Sequence, residues 1–208
     1  MALIADDDGV VQGIETVDGP IHAPNVILAA GVDTGRMLAE LTGYDGFAAR
    51  FPLREVPGLL LTTPRLEPNP LKRIYFGSTT NELHLLPAPN GGIRIGSDDV
   101  DSIIWEDRSE DAMRRGGEAL LERASQVIPG LKERVSLADC TLQIGVRPYP
   151  EDGRAIAGPL PGADGLYIVA THSGITLAPA IASLMVELLQ TGSALKLEAF
   201  GLSRFPGF

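Results

Sequence analysis

The sequence predicts an α/β (α+β) chain in which a layered α/β portion is built from the two ends and interrupted by an inserted mixed antiparallel sheet. Three observations predict it. The run Val26–Ala30 is apolar throughout, as suits a strand buried on both faces of a layered sheet. Near the other end, GLYIVATHSGITLAPAIASLMVELLQTG reads as an apolar strand, a short polar turn and a long apolar helix. Between them, the text from Phe51 to Ser97 breaks into VPGLLLTT, RIYFGS, ELHLLP and GGIRIGS, separated by Pro, Gly and Asn as antiparallel strands are. The expected division is 1–36 with 153–208 for the layered domain and 37–152 for the inserted one.

The individual elements follow in order. GVVQGIETV, the turn Asp18-Gly19 and PIHAPNVILAA alternate apolar and turn-forming residues, which predicts a hairpin of short strands. After Gly31, Asp33-Thr34 can cap a short helix with Met37, Leu38 and Leu41 on one face. Helical spacing returns over Ser109–Val127, where Ala112, Met113, Ala119, Leu120, Ala124 and Val127 recur among charged neighbours and Gly116-Gly117 weakens the middle. TLQIGVRPY, RAIAGPL and GLYIVATH are further strands. The last long helix is expected over Ile175–Leu189, with Pro179 near its first turn and Gly192 past its end.

Composition excludes several classes of function. In 208 residues, 17 Lys plus Arg stand against 27 Asp plus Glu, a net charge of -10 that repels phosphate backbones, so nucleic acid is excluded as a partner. The single cysteine, Cys140, rules out an internal disulfide and any multi-cysteine metal site, and fits a cytoplasmic location. No apolar run approaches the length of a membrane span, and the N-terminus has no signal-peptide pattern. Asp6–Asp8 and Asp98, Asp99 and Asp101 lack calcium-loop spacing, so no metal is expected.

The strongest local chemistry lies where the last strand meets the last helix. Gly174 lets a ligand approach the backbone, and the N–H groups of Gly174, Ile175, Thr176 and Leu177 point outward with the positive end of the helix dipole behind them. An anionic or electron-accepting group suits that place. The same spacing also fits an ordinary βα turn capped by Ser173. Arg147 carries a planar fork suited to a carboxylate, or to a structural ion pair. Asp152-Gly153 reads as a turn, and Cys140 as a small buried residue.

Two linked segments, IGVRPYPEDGRAIAGP (144–159) and IVATHSGITLAP (168–179), resemble the paired C-terminal signature of the D-amino-acid oxidase and glycine oxidase superfamily of FAD-dependent oxidoreductases. PNVILAAGVDTGRM is similar to the family's strand that brings a glycine under the cofactor. ELHLLPAPNGGIRIGS is similar to its substrate-domain hairpin, and FGLSRF to the ending of bacterial members. The resemblance runs from about Gly9 to Phe205 and implies an incomplete FAD-binding Rossmann-like layer with an inserted substrate domain. By it, Ala30, Gly31, Gly145, Gly174, Ile175, Thr176 and Leu177 lie against the flavin, and the N–H groups of Ile175 to Leu177 stabilise the reduced ring. Arg147 holds the substrate carboxylate and His172 bonds flavin or substrate, a structural role for His172 remaining open. His84, where some relatives carry a tyrosine, and Ser173 face the substrate.

The departures from the pattern are informative. The loop between His172 and Gly174 is shorter than in glycine oxidases and lacks their second arginine. Gly145 stands where sarcosine oxidases carry the cysteine that anchors flavin, so FAD is expected to be non-covalent. Nowhere is there a G-x-G-x-x-G between strand and helix for the FAD pyrophosphate, so FAD binding by the isolated chain is expected to be weak or absent. The implied function is half of an oxidoreductase that oxidises the C–N bond of an amino acid or secondary amine by hydride transfer to flavin. Its partners are then a small amine or amino acid and a separate chain or upstream stretch bearing the G-x-G-x-x-G half. The alternatives are a non-catalytic truncated fragment or binding module, and a subunit of a hetero-oligomeric amine dehydrogenase.

Overall fold

A computed structural model describes residues 2–39, 46, 50–77 and 82–208. The chain forms two compact units, one of Met1–Glu55 with Arg147–Phe208 and one of Val56–Val146.

The first unit contains two three-stranded sheets. One is a meander of β1 (Ala2–Ala5), β2 (Val11–Thr16) and β3 (Gly19–His22), all antiparallel neighbours. The expected hairpin is therefore present, with β1 added in front. Asp6 closes the β1–β2 turn, its carboxylate accepting from the Gln12 side chain and from the N–H groups of Asp8 and Val10. Those bonds hold its carboxyl below the usual range.

The second sheet has the order β10-β11-β4, from β4 (Val26–Leu28), β10 (Ile156–Pro159) and β11 (Leu166–Ala170). β4 and β11 are parallel, with Leu166 opposite Val26 and Ile168 opposite Leu28, while β10 pairs antiparallel with β11. The two apolar strands from opposite ends of the chain are thus sheet neighbours. The expectation that β4 is buried on both faces does not hold, since Ile27 is 45% exposed. After β4 comes a single 3-10 turn, Gly31–Asp33, and then α1 (Thr34–Ala39), which buries Leu38. Leu41, expected on the same face, lies outside the described residues.

α2 (Gly174–Thr191) follows β11 and stops at Gly192, whose N–H bonds the Leu188 carbonyl. One face, through Met185, Ile181, Leu184 and Leu188, packs with Ala157, Tyr167 and Val169 of the sheet. Only Met185 is buried. By length and composition alone α2 is apolar enough to cross a bilayer, against the sequence expectation that no run approaches that length. Its packing on the β10-β11 face is that of a layered α/β fold.

The end of the chain is fixed by Arg204, whose side chain is 11% exposed. Its Nε and Nη2 grip both oxygens of Asp152 at 2.8 and 3.0 Å. Nη1 donates to the Phe200 and Gly201 carbonyls and Nη2 to that of Arg154, so the guanidinium is close to saturated. The ring of Phe205 lies 4.4 Å away. Asp152 is a turn residue, as the sequence suggested, and Gly153 N–H closes the turn onto Pro150. Arg204 holds the Asp152 carboxyl well below the ordinary carboxylate range.

The second unit is built around the five-stranded sheet β6-β7-β8-β5-β9, formed by β5 (Leu53–Thr62), β6 (Tyr75–Phe76), β7 (His84–Pro87), β8 (Ile93–Gly96) and β9 (Thr141–Pro150). The pairings β6–β7, β7–β8 and β5–β8 are antiparallel. Its helix is Glu110–Val127, capped by Ser109, whose Oγ accepts from Ala112 N–H at 3.2 Å. Gly116 and Gly117, which the sequence marks as weakening the middle of this helix, are buried. A Cβ at Gly116 would lie 2.4 Å from Leu59 Cδ2, and one at Gly117 2.9 Å from Leu137 and Leu142. The pair lets the helix sit close to its leucine neighbours. Asp101 is buried and accepts from Leu59 N–H at 2.8 Å. Cys140 is half-buried against the core, and desolvation pushes its thiol up to about 11.

Two stability outcomes are expected. Gly116→Ala gains helix propensity of ~1 kcal/mol but overpacks a core leucine, so net destabilisation of ~1–2 kcal/mol is expected in urea unfolding. Asp152→Asn should cost ~1–3 kcal/mol at neutral pH. Because the folded Asp152 carboxyl is depressed, its contribution is present above the unfolded pKa of about 3.9 and fades as pH falls toward the lower folded value. Wild type and variant should therefore converge in acid, as measured by denaturation midpoints between pH 7 and 2.

Candidate functional site

Because β4 and β11 run parallel, both chains leave the sheet at the same edge, the carboxyl end where open α/β sheets take ligands. β4 leads into Ala29, Ala30 and Gly31, and β11 into Thr171, His172 and Ser173. Gly31 has φ 59°, a left-handed conformation that favours glycine, and its carbonyl accepts from the buried Thr34 hydroxyl at 2.8 Å. A groove of about 460 Å³ runs from Gly31 and Ala29 past Gly174 and Ala178 to Val186 and Leu189, lined almost entirely by apolar side chains.

The start of α2 is bare. Among the described residues, the N–H groups of Gly174, Ile175 and Thr176 have no backbone acceptor, and a Cβ at Gly174 would meet nothing within 4 Å. Ile175 is 96% exposed. Two sequence expectations change here. Leu177 N–H donates to the Ser173 carbonyl at 2.9 Å as an ordinary first helical bond, so it does not face outward with the other three. Ser173 makes no side-chain cap: its backbone, at φ -101° and ψ 36°, is not in the extended conformation of a cap residue, and its Oγ lies 2.9 Å from His172 Nδ1. The reading of an ordinary Ser-capped turn is not met.

β9 approaches this end through Pro148 and Tyr149. A Cβ built on Gly31 would lie 3.9 Å from Pro148, and the Tyr149 ring stacks on His172 at 4.5 Å with an interplanar angle of 14°. Alternation along a strand puts Arg147 on the same side as Tyr149, with Pro148 on the other. Arg147 is half-buried there. The Arg54 guanidinium lies over the other part of this cluster, 5.7 Å from the Tyr149 centroid.

The structure thus brings Ala30, Gly31, Arg147, His172, Ser173 and Gly174–Thr176 into one compact unit. Gly145 belongs to the other unit, on an exposed part of β9 where a Cβ would meet nothing within 4 Å. His84 also belongs there, on β7, its ring stacked on Phe76 at 6.3 Å and its Nδ1 3.2 Å from the Glu82 carbonyl. Sequence reasoning missed Tyr149 and Arg54. Tyr149 was visible as the residue two after Arg147 on a predicted strand, whereas Arg54 is joined to it only by the pairing of strands about ninety-five residues apart.

Comparisons with known proteins identify the family. Residues 2–188 match the family model described as FAD dependent oxidoreductase. The glycine oxidase of Pseudomonas aeruginosa is 29% identical over 188 residues, covering 89% of this chain and 47% of that protein. That of Pseudomonas putida is 28% identical over 185 residues, covering 88% and 46%. Among solved structures, L-proline dehydrogenase from P. horikoshii superposes with a TM-score of 0.75 at 18% identity, over 99% of this chain and 53% of that one. Glycine oxidase from Geobacillus kaustophilus gives 0.69 at 24% identity, over 99% and 52%. The chain spans about half the length of the relatives it matches. With nearly its whole length matched by one family model, and with the fold of that family's solved structures, this chain belongs to the FAD dependent oxidoreductase (DAO) family.

Proposed function

We propose that this chain is the substrate-side half of a flavoenzyme that oxidises the C–N bond of an amino acid or secondary amine. The observation that carries the reading is the bare start of α2, where three N–H donors stand free beside an uncapping Ser173 and an open Gly174. Such donors fit the pyrimidine edge of a flavin, a flat acceptor that gains negative charge on reduction. Gly31 and Ala30 would pass beneath the ring, leaving no side chain in its way. Bound flavin supplies the redox chemistry by accepting a hydride from the carbon beside the substrate nitrogen.

The residues of this chain then orient and shield. Arg147 takes the substrate carboxylate in its planar fork, which stays charged when half-buried. His172, fixed by the Tyr149 stack and the Ser173 hydroxyl, presents its remaining ring nitrogen toward flavin or substrate. The adenosine and pyrophosphate must be held elsewhere, because the sequence has no G-x-G-x-x-G. We assign that role to a dinucleotide-binding half supplied by another chain or by further sequence, docked as a parallel strand on the second edge of β4. In support, β4 pairs only with β11 among the described residues, and apolar grooves of about 370 and 460 Å³ flank it on Leu3, Leu28 and Met37 and on Val169, Ala182 and Met185.

Two outcomes test this. The chain alone should purify colourless and become yellow, with stoichiometric flavin absorbance after gel filtration, when a G-x-G-x-x-G half of the family is co-expressed; Ile27→Lys on β4 should block that gain. A yellow chain on its own would show that FAD is held without the other half. In the flavin-loaded assembly, Arg147→Met should remove ~2–4 kcal/mol of transition-state binding for carboxylate substrates, roughly 30- to 1000-fold in kcat/KM, and little for amines without a carboxylate. Equal losses for both classes, with loss of flavin, would make Arg147 structural.

A further inference from the structure

We propose that Arg54 is a second anion-holding residue of this site, so that the substrates are amino or imino acids bearing a second carboxylate. The inference rests on the assignment of Arg147 above and names the substrate class of that same site.

Arg54 and His172 both contact the Tyr149 ring. The guanidinium of Arg54 is 5.7 Å from the Tyr149 centroid, and the Tyr149 ring is 4.5 Å from that of His172. The end of the stack at His172 adjoins Ser173 and the free N–H groups of α2. Arg147 stands two residues before Tyr149 on the same side of β9, which places its backbone only about 7 Å away along the strand. Two arginines therefore serve one mouth in a chain whose net charge is -10.

The contact with Tyr149 is what separates Arg54 from an ordinary surface arginine. Arg54 is exposed and its guanidinium carbon stands 5.7 Å from the Tyr149 centroid, a cation–π contact that uses none of its N–H donors as hydrogen bonds and leaves them available. Arg36, Arg65, Arg114, Arg115, Arg123, Arg154 and Arg204 each meet a carboxylate of the protein. Among the described residues, Arg54 meets none and lies over the Tyr149 ring instead. Long side chains lose rotamer freedom when they bind, and the ring has already restricted this one, so an incoming carboxylate orders less. The loop after His172 carries no arginine, so the second charge enters from β5 instead.

The test is direct binding to the full 208-residue chain, independent of flavin, with iminodiacetate and N-methylglycine as probes. They share an imino acid core and differ by one carboxylate. Titrations followed by NMR at the Arg54 guanidinium and the His172 ring should give iminodiacetate at least ~10-fold tighter, a preference that shrinks with added salt. Arg54→Gln should abolish the preference and leave N-methylglycine binding unchanged, Arg54→Lys should keep part of it, and Arg147→Met should weaken both probes. Equal affinity of the two probes for the unmodified chain, or an undiminished preference in Arg54→Gln, would overturn the proposal. If Arg147→Met changes neither affinity while Arg54→Gln removes the preference, the carboxylate assignment to Arg147 fails and the second-anion role of Arg54 stands.

Discussion

The parallel pairing of β4 with β11 is the constraint on which the candidate site depends. It joins residues about 140 positions apart, and its direction decides where both connections emerge. An antiparallel pairing would send the Gly31 turn and the His172–Gly174 turn to opposite edges of the sheet. Because the strands are parallel, a backbone turn with φ 59° and a helix start with three free donors open at one edge. A parallel pair needs a long crossover. Here that crossover contains the entire second unit, which explains how a separate sheet can interrupt a layer without dissolving it.

Alternation in β9 does the rest of the positioning. Its last residues place Pro148 toward Gly31 and give Tyr149 and Arg147 the other side, where Tyr149 meets His172. A one-residue slip of β9 would exchange the two sets, breaking the stack and turning Arg147 to the opposite side of the strand. The Asp152–Gly153 turn directly after β9 is held by Arg204 through both carboxylate oxygens. The clamp fixes the strand end against the C-terminal segment, and Glu151 N–H ties it to the Pro52 carbonyl at 3.0 Å.

Much of this was legible in the sequence because periodicity and turn chemistry are local. The β2–β3 hairpin, the capped helix at Ser109, the strand before His172 and the helix after it all declare themselves within a few residues. What was not legible depended on neighbours. Gly116-Gly117 reads as a weak helix centre until Leu59, Leu137 and Leu142 are seen to press against it. Val26–Leu28 reads as doubly buried because every residue is apolar, yet burial depends on what covers the faces, and Ile27 is 45% exposed. Ser173 has the residue type and position of a cap, and nothing local reveals that His172 engages its hydroxyl. Arg54 joins the site only through tertiary pairing, a signal that no window of sequence contains.

The start of α2 is a local rule broken in a consistent direction. A serine cap contributes ~1 kcal/mol to a helix, and here Ser173 forgoes it while three donors remain without backbone partners. Pro179, six residues into the helix, removes another backbone donor and adds no stability to compensate. Any α-helix leaves its first N–H groups without backbone partners, and in this exposed turn water can solvate them; what is unusual is that the serine beside them does not cap. The same hydroxyl that leaves the cap fixes His172, and His172 in turn is braced by Tyr149. The turn thus lacks a cap but holds an oriented imidazole beside three open donors at one edge of a parallel sheet. Local inconsistencies of this kind concentrate at functional sites, and a ligand of the proposed kind, flat enough to lie over Gly31 and accepting hydrogen bonds along one edge, would satisfy the donors left open here.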